Sequence, residues 1–481
     1  MRIRTSGAAL VALSLLLVPG TVASAAPPPD AATGPNAAAG PDATAAGPGA
    51  GAGPDVAAVG GTVPRPVERF ARQTLPAGDG WAAAGPGTTG GATATADQVH
   101  LVRSRADLVR ALGGDNATNR ANATPKIIVV DGVVDGFQGD DGALLDCADL
   151  ADPEYSLPAY LAAYDPAVWG RTPPTGPLET ARARSVANQT RHTQINVGPN
   201  TTIVGRGGAT LTGLTLMIDT ASNVIVRNLT FDDARDCFPA WSPTDGETGN
   251  WNSQYDQISV RRSENVWVDH NTFTDGDNPD SAQPVHFGRP YQVHDGSLDV
   301  THTASLVTVT YNRFVGRDKL MLIGSSNTVG PDVGRLKVTL HHNLFDRVLQ
   351  RLPRVRFGQV DLYNNWYRLA GDDFEYAVGV GVQSAVYAEN NHFTLGAGVT
   401  AADLLHDWGG TAVTTRGNWV RADGDRLARP VDLVAAYNAA HDPDLGADAG
   451  WTPTLRPAPP LPAPLVPLVV GTLAGADRLP L

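Results

Sequence analysis

The chain has 481 residues, 42% of them hydrophobic and 18% charged, with 52 Gly and 37 Pro. That composition supports a sizeable, turn-rich core and excludes both a long coiled coil and a largely disordered chain. A formal net charge of −13 also excludes a general nucleic-acid binder, which needs a basic surface to displace phosphate counterions.

At the N-terminus, Arg2 and Arg4 precede an apolar run from Ala8 to Val18, and Ala23-Ser24-Ala25 supplies a small-x-small cleavage pattern. Residues 1–25 are therefore expected to be a signal peptide and the protein to be secreted. The run falls short of the ~20 residues needed to span a bilayer. No membrane anchor is expected. Residues 26–64 are almost wholly Ala, Gly, Pro and Asp, too poor in apolar surface to offset chain entropy, and read as a disordered linker. The only cysteines, Cys147 and Cys237, form an even pair that an oxidising exterior favours as one disulfide.

From about residue 100 onward, short β-branched runs end in Asn: Val224 to Asn228, Val266 to Asn271, Val307 to Asn312, Val338 to Asn343, Val360 to Asn365 and Ala385 to Asn391. An aromatic follows two residues after most of these Asn, at Phe273, Phe314, Phe345, Tyr367 and Phe393. A minimum repeat in the low twenties, with one strand and one Asn corner per period, predicts a parallel β-helix whose coils complete each other's cores. Asn suits such a corner because it tolerates left-handed backbone and its amide can bond to neighbouring coils. An antiparallel sandwich with frequent turns is the alternative. The long intervals 228–271 and 271–312 are expected to carry loops projecting from the solenoid. Residues 420–481, rich in Pro, read as a cap over its end.

Charge is unevenly spread. Residues 254–299 carry a net −5 and residues 313–356 a net +6. On one flank of a solenoid these would form a hard-cation site beside a polyanion-binding row. The basic stretch is sharpest at Gln350-Arg351-Leu352-Pro353-Arg354-Val355-Arg356-Phe357-Gly358, where Arg354 and Arg356 share a strand face. Guanidinium groups so placed suit the carboxylates of an acidic polysaccharide; a merely solvated basic face is the alternative.

Five ordered motifs sharpen this. Trp251 to Asp256, Val266 to His270, His294 to Asp299, Asp318-Lys319 with Gly324-Ser325-Ser326, and Gln350 to Gly358 resemble those of the extracellular pectate lyases of polysaccharide lyase family 1. The likeness runs from about Arg72 to the C-terminus. It implies an all-β, right-handed parallel β-helix over residues 65–481 and calcium-dependent β-elimination of polygalacturonate. It places Asp256, Asp295 and Asp299 as calcium ligands, Lys319 and Arg356 as substrate-binding cations, and Arg351 as the residue that takes the proton. Gln254 stands where some members carry a further Asp. The expected partner is pectate, with no nucleic acid or membrane, and the protein is expected to act as a monomer.

The reaction removes H-5, which is acidified by the C-6 carboxylate, and expels the O-4 substituent. Free arginine titrates above ~12, so Arg351 can serve as base only where neighbouring positive charge favours its neutral form. Other attractive groups have structural readings. Asp269-His270 and His341-His342 sit at strand corners. Asp275, Asp277 and Asp280 resemble an EF-hand start without its closing Glu. Gly139-Asp140-Asp141 lacks the partner motif of a β-helical hydrolase.

Overall fold

The computed structural model describes residues 62–371 and 373–479. The expected signal peptide and linker residues up to 61 lie outside them, whereas Val63 is already buried against Val67 and Phe70. Among the described residues no helix is long and apolar enough to cross a membrane.

The β-branched runs form a parallel β-helix of three ladders. The first stacks Val224–Arg227, Glu264–Asp269, Ser305–Thr310, Lys337–His341, Gln359–Tyr363, Ala385–Glu389 and Val413–Arg416. Their pairing sets Val224, Val266, Val307, Val338, Val360, Val386 and Val413 in one register row, all fully buried. Alternation turns these residues inward and their neighbours outward, so each coil's apolar face is covered only by the coils above and below. The second ladder carries a stack of rings from Phe231 through Phe273, Phe314, Phe345 and Tyr367 to Phe393, with centroids 4.5–5.4 Å apart. The third runs from Gln194–Asn196 to Leu405–Trp408.

The Asn corners form a buried ladder, shifted from the expected one. Side-chain amides bond in sequence from Asn271 through Asn312, Asn343, Asn365 and Asn391 to Asn418, at 3.0–3.2 Å. Asn228 is not a rung: register aligns Leu229 with Asn271, and Asn228 bonds instead to the Gly205 carbonyl at 2.9 Å. The left-handed residue is also not the rung itself. It is the one before, as at His270, Tyr311, His342, Asn364 and Asn390, with φ between 50° and 55°. What demands Asn is hydrogen bonding, since each rung after Asn271 accepts a backbone N–H and an amide from its neighbour and donates to a carbonyl, as Asn365 does. Asn365→Ala should orphan the buried Asn343 N–H and Leu340 C=O and destabilise the fold by about 3 kcal/mol, read as a lower denaturant midpoint at unchanged slope. A loss below about 0.5 kcal/mol would show that the ladder contributes little.

Leu108, Ala111 and Leu112 of helix Arg105–Leu112 close one end of the core, and Leu433, Val434, Tyr437 and Leu445 close the other. The rest of the C-terminal region corrects the expected cap. Arg456 pairs with Asp361 and Glu389, the Leu461 carbonyl accepts from Asn364, and the Asp477 N–H donates to Asn228 Oδ1. The tail thus runs back along the flank of the stack. A second strap lies on the outward face of the first ladder, where the Ala82 and Trp81 N–H groups donate to Thr308 and Thr339. It covers the outward apolar side chains Ile225 and Trp267.

The projecting loops form as expected between strands. They contain the hairpins Ala240–Ser242 with Asn250–Asn252 and Val285–His286 with Arg289–Pro290. Trp241, Trp251, Tyr291 and Val293 from these loops pack with Tyr160 and Tyr164 of a helical insertion. Cys147 and Cys237 are joined as a disulfide, tying that insertion to the solenoid.

Candidate active site

The site lies on the outward face of the third ladder. Pairing aligns Ser259, Asp299, Leu322, Arg354 and Gly379 across five strands; Asp299 falls opposite Leu322 because Val300 pairs with Ile323. Strand alternation sends Leu298 and Val300 into the core and leaves Asp299 on the outer face, two residues before Thr301.

Asp256 and Asp299 are both buried and crowd one place, Gly296. A Cβ on Gly296 would lie 2.7 Å from Asp299 Oδ1, 2.9 Å from Asp256 Oδ1 and 3.0 Å from the Leu320 carbonyl. Only glycine leaves those three oxygens facing one another. The Gly296 N–H donates to Asp256 Oδ1 at 3.0 Å and the Leu322 N–H to Asp299 Oδ1 at 2.8 Å. Burial, then the neighbouring carboxylates, push the Asp256 carboxyl well above its ordinary range; burial and Asp295 push Asp299 up to about 7. Two carboxyls held together at such cost to their charge are matched to a hard cation that takes oxygen ligands. Among the described residues no three His, Cys, Asp or Glu side chains enclose a single point; Asp295 lies beside the cations Lys319 and Arg351.

Asp295 Oδ1 stands 3.8 Å from Lys319 Nζ and 3.7 Å from Arg351 Nη1. Lys319 pairs through its backbone with Gln350, which brings the loop before each third-ladder strand to the same edge. Arg351 holds a left-handed backbone, φ 62°, a conformation that costs a non-glycine residue free energy and persists where surroundings enforce it. Its Nε is buried without a partner. Burial opposes its charge, but Asp295, Tyr376 and Asp299 outweigh that and hold its pKa above the ordinary value. Arg356 is anchored by Asn327 Oδ1 at 2.7 Å and the Gly324 carbonyl at 2.9 Å.

The six residues expected from the sequence therefore lie on one face in separate groups: Asp256 with Asp299 around Gly296, Asp295 with Lys319 and Arg351, and Arg356 just past strand Arg354–Val355. Arg354 and Arg356 share that face but are 6% and 2% exposed, so they are no solvated patch. Arg354 lies 3.8 Å from the Trp408 ring. The rest of the basic segment scatters: Arg313 pairs with Asp346 and Arg335 with Glu264, away from the site.

One supporting residue was not singled out in the sequence. Arg317, buried, pairs with Asp275 and donates to the Asp295 carbonyl at 2.9 Å, fixing the backbone that presents the Asp295 side chain. Behind it His294 bonds Asp233 at 3.0 Å and Asp280 at 3.1 Å. Burial opposes protonation there, yet these carboxylates and Asp275 raise the imidazole to about 9. Asp275 and Asp280 are thus engaged by protein cations, in keeping with a structural role rather than a second cation loop. No spacing rule links Arg317 to a backbone 22 residues earlier. Asp269 is likewise structural, buried against Arg227, His270 and Thr310. Asp140 pairs with Arg105, and Asp141 accepts the Ala143 N–H in a turn.

The family profile described as pectate lyase matches residues 175–426, the span that contains this face. A pectate lyase of Bacillus subtilis (strain 168) is 43% identical over 390 residues, covering 80% of this chain and 88% of the relative. Pectate lyase E of Dickeya chrysanthemi is 35% identical over 332 residues, covering 67% and 69%. Among solved structures, a thermostable pectate lyase superposes with a TM-score of 0.83 at 43% identity, covering 85% of this chain and all of that one. A pectate lyase bound to a hexasaccharide gives 0.79 at 41% identity with the same coverage. With a parallel β-helix and this extent of sequence identity in common with such relatives, the chain belongs to the pectate lyases of polysaccharide lyase family 1 and is a polysaccharide lyase.

Proposed function

We propose that the protein is a secreted, calcium-dependent enzyme that cleaves α-1,4-polygalacturonate by β-elimination to 4,5-unsaturated oligogalacturonates. The apposition of Asp256, Asp295 and Asp299 with Lys319, Arg351 and Arg356 on one sheet face carries this reading. Glycoside hydrolysis is a poorer fit. It needs an acid and a second carboxylate on either side of the scissile bond, ~5–9.5 Å apart, whereas here Asp256 and Asp299 crowd together at Gly296 and Asp295 is engaged by Lys319 and Arg351. The hexasaccharide held by a related pectate lyase is consistent with an oligosaccharide on this face.

In this reading Asp256, Asp295 and Asp299 hold calcium. Bound there, the ion supplies positive charge that stabilises the enolate developing at the C-6 carboxylate and shifts the balance at Arg351 toward the neutral base. Lys319 and Arg356 hold the C-6 carboxylate and add positive field where negative charge grows. Arg351 takes H-5, the C-5 electron pair forms the C-4 to C-5 double bond, and the O-4 substituent leaves, taking its proton from solvent. The N-terminal segment directs export, and the enzyme acts as a monomer.

The test is ultraviolet absorbance of the conjugated product on polygalacturonate, with chelator and after restoring calcium. Product formation should stop with chelator and resume with calcium. Full activity in excess chelator overturns the calcium assignment, and new reducing ends without absorbance overturn elimination.

A further inference from the structure

The sheet face that carries the arginines does not end with them. The row through Asp299 and Arg354 continues to Gly379 and His406, and the next row reaches Gly381 and Trp408. His406 is exposed and Trp408 partly so. Their rings lie 4.6 Å apart, and Tyr376, buried behind them, lies 5.2 Å from His406 and 6.0 Å from Trp408. The strand between carries no side chain here. A Cβ on Gly379 would come within 2.9 Å of Trp408 and 3.0 Å of both Arg354 and Tyr376, so glycine is what lets the indole lean back onto Arg354.

We propose that Trp408, with His406 beside it and Tyr376 behind, is a platform on which a sugar ring of the substrate chain stacks beyond the reacting pair; this rests on the polygalacturonate reading above. The strand Leu405–Trp408 lies two strand spacings, ~10 Å, from the one bearing Arg354, on the same face and along the same rows. A polysaccharide laid along the solenoid axis across Asp299 and Arg354 therefore meets these rings next. A pyranose presents a C–H face that matches a flat indole, and a ring with two rotatable bonds loses little entropy when it binds. Arg354, 3.8 Å from the indole, fixes the ring from behind through a cation–π contact. Past Arg356 these two rows hold glycine, His406 and Trp408, with no Lys or Arg. Recognition there reads ring shape, whereas the arginine end reads carboxylate charge.

The test compares kcat/KM for trigalacturonate and hexagalacturonate in the parent enzyme, Trp408→Ala and Trp408→Phe. Extra chain length engages the platform, so the hexamer-to-trimer ratio should fall roughly three- to tenfold in Trp408→Ala and mostly survive in Trp408→Phe. An unchanged ratio overturns the platform. Equal losses on both lengths also overturn it, because Trp408 would then act only by propping Arg354. Should Trp408→Ala fail to fold, His406→Ala removes an exposed ring and must lower the same ratio, or the proposal falls. A parent enzyme that releases no unsaturated product from either length overturns the functional reading itself, and the platform with it. A working parent with an unchanged ratio overturns the platform alone.

Discussion

Arg351→Lys is expected to lower kcat by ~10³-fold or more, within the range that a positioned proton acceptor contributes, while polygalacturonate and calcium binding stay close to those of the parent. Lysine keeps the positive charge but loses the planar, forked guanidinium that the left-handed backbone at Arg351 aims across Asp295. The control is Arg354→Lys, on the same face. Arg354 is stacked on Trp408 rather than directed at Asp295, so its replacement should cost less than about tenfold in kcat and show itself mainly in KM and stability. Equal loss of kcat in both variants would mean that the arginines act together as an electrostatic clamp. If Arg351→Lys kept substantial turnover, the base would have to be sought at Lys319, 3.8 Å from the same Asp295 oxygen. Single-turnover measurements with saturating substrate separate these outcomes from changes in binding.

The second large effect is the calcium-linked pH dependence of stability. Burial first, and then mutual repulsion, raise the Asp256 and Asp299 carboxyls. A carboxyl with a raised pKa binds its proton more tightly in the folded protein than in the unfolded chain. The metal-free fold is therefore favoured at acid pH, and it loses stability as pH rises from the ordinary 3.8 through about 7 for Asp299. Calcium requires the deprotonated carboxylates, so its affinity should rise across the same window. Thermal melts with chelator and with calcium, at about pH 5 and about pH 9, should show a small calcium effect in acid and a large one in alkali. At a calcium concentration of ~100 times Kd the gain is about 2.7 kcal/mol. Asp299→Asn keeps an acceptor for the Leu322 N–H, now bonded at 2.8 Å, but removes the repulsion. It should be more stable than the parent in alkaline chelator and should lose most of the calcium gain. A calcium effect of the same size at both pH values would remove these carboxylates from the site. Magnesium should replace calcium poorly, because it demands a tighter octahedral shell and holds its waters.

Local patterning was enough for the repeat. Alternating Val, Ile and Leu in runs ending at Asn can bury one face only by stacking, and the inward row from Val224 to Val413 does so. The motif resemblance picked out the six candidate residues, and four of the five motifs sit on or beside third-ladder strands; Val266 to His270 belongs to the first ladder. The rung identities were not. Asn228 and Asn271 look alike in sequence, yet a one-residue offset puts Leu229 opposite Asn271, and register is fixed by the core of neighbouring coils, which no single run encodes.

Other features were decided by distance along the chain. The Pro-rich C-terminal segment has a composition that suits a cap or a strap equally. Only the acceptors and charges of the flank that it covers, Asn228, Asp361, Asn364 and Glu389, draw it back along the stack. The net +6 of residues 313–356 overstated the basic site, because successive coils send Arg313 and Arg335 to other faces while Lys319, Arg351, Arg354 and Arg356 share one. Composition and period by themselves favoured a β solenoid over an antiparallel sandwich and determined that an acidic segment lies next to a basic one in sequence. Which carboxylates become neighbours, that Arg317 supports Asp295, and that Trp408 reaches Arg354 were settled by tertiary structure alone. Those contacts join residues on different coils, where strand register and the bare backbone at Gly296 and Gly379 set what can touch.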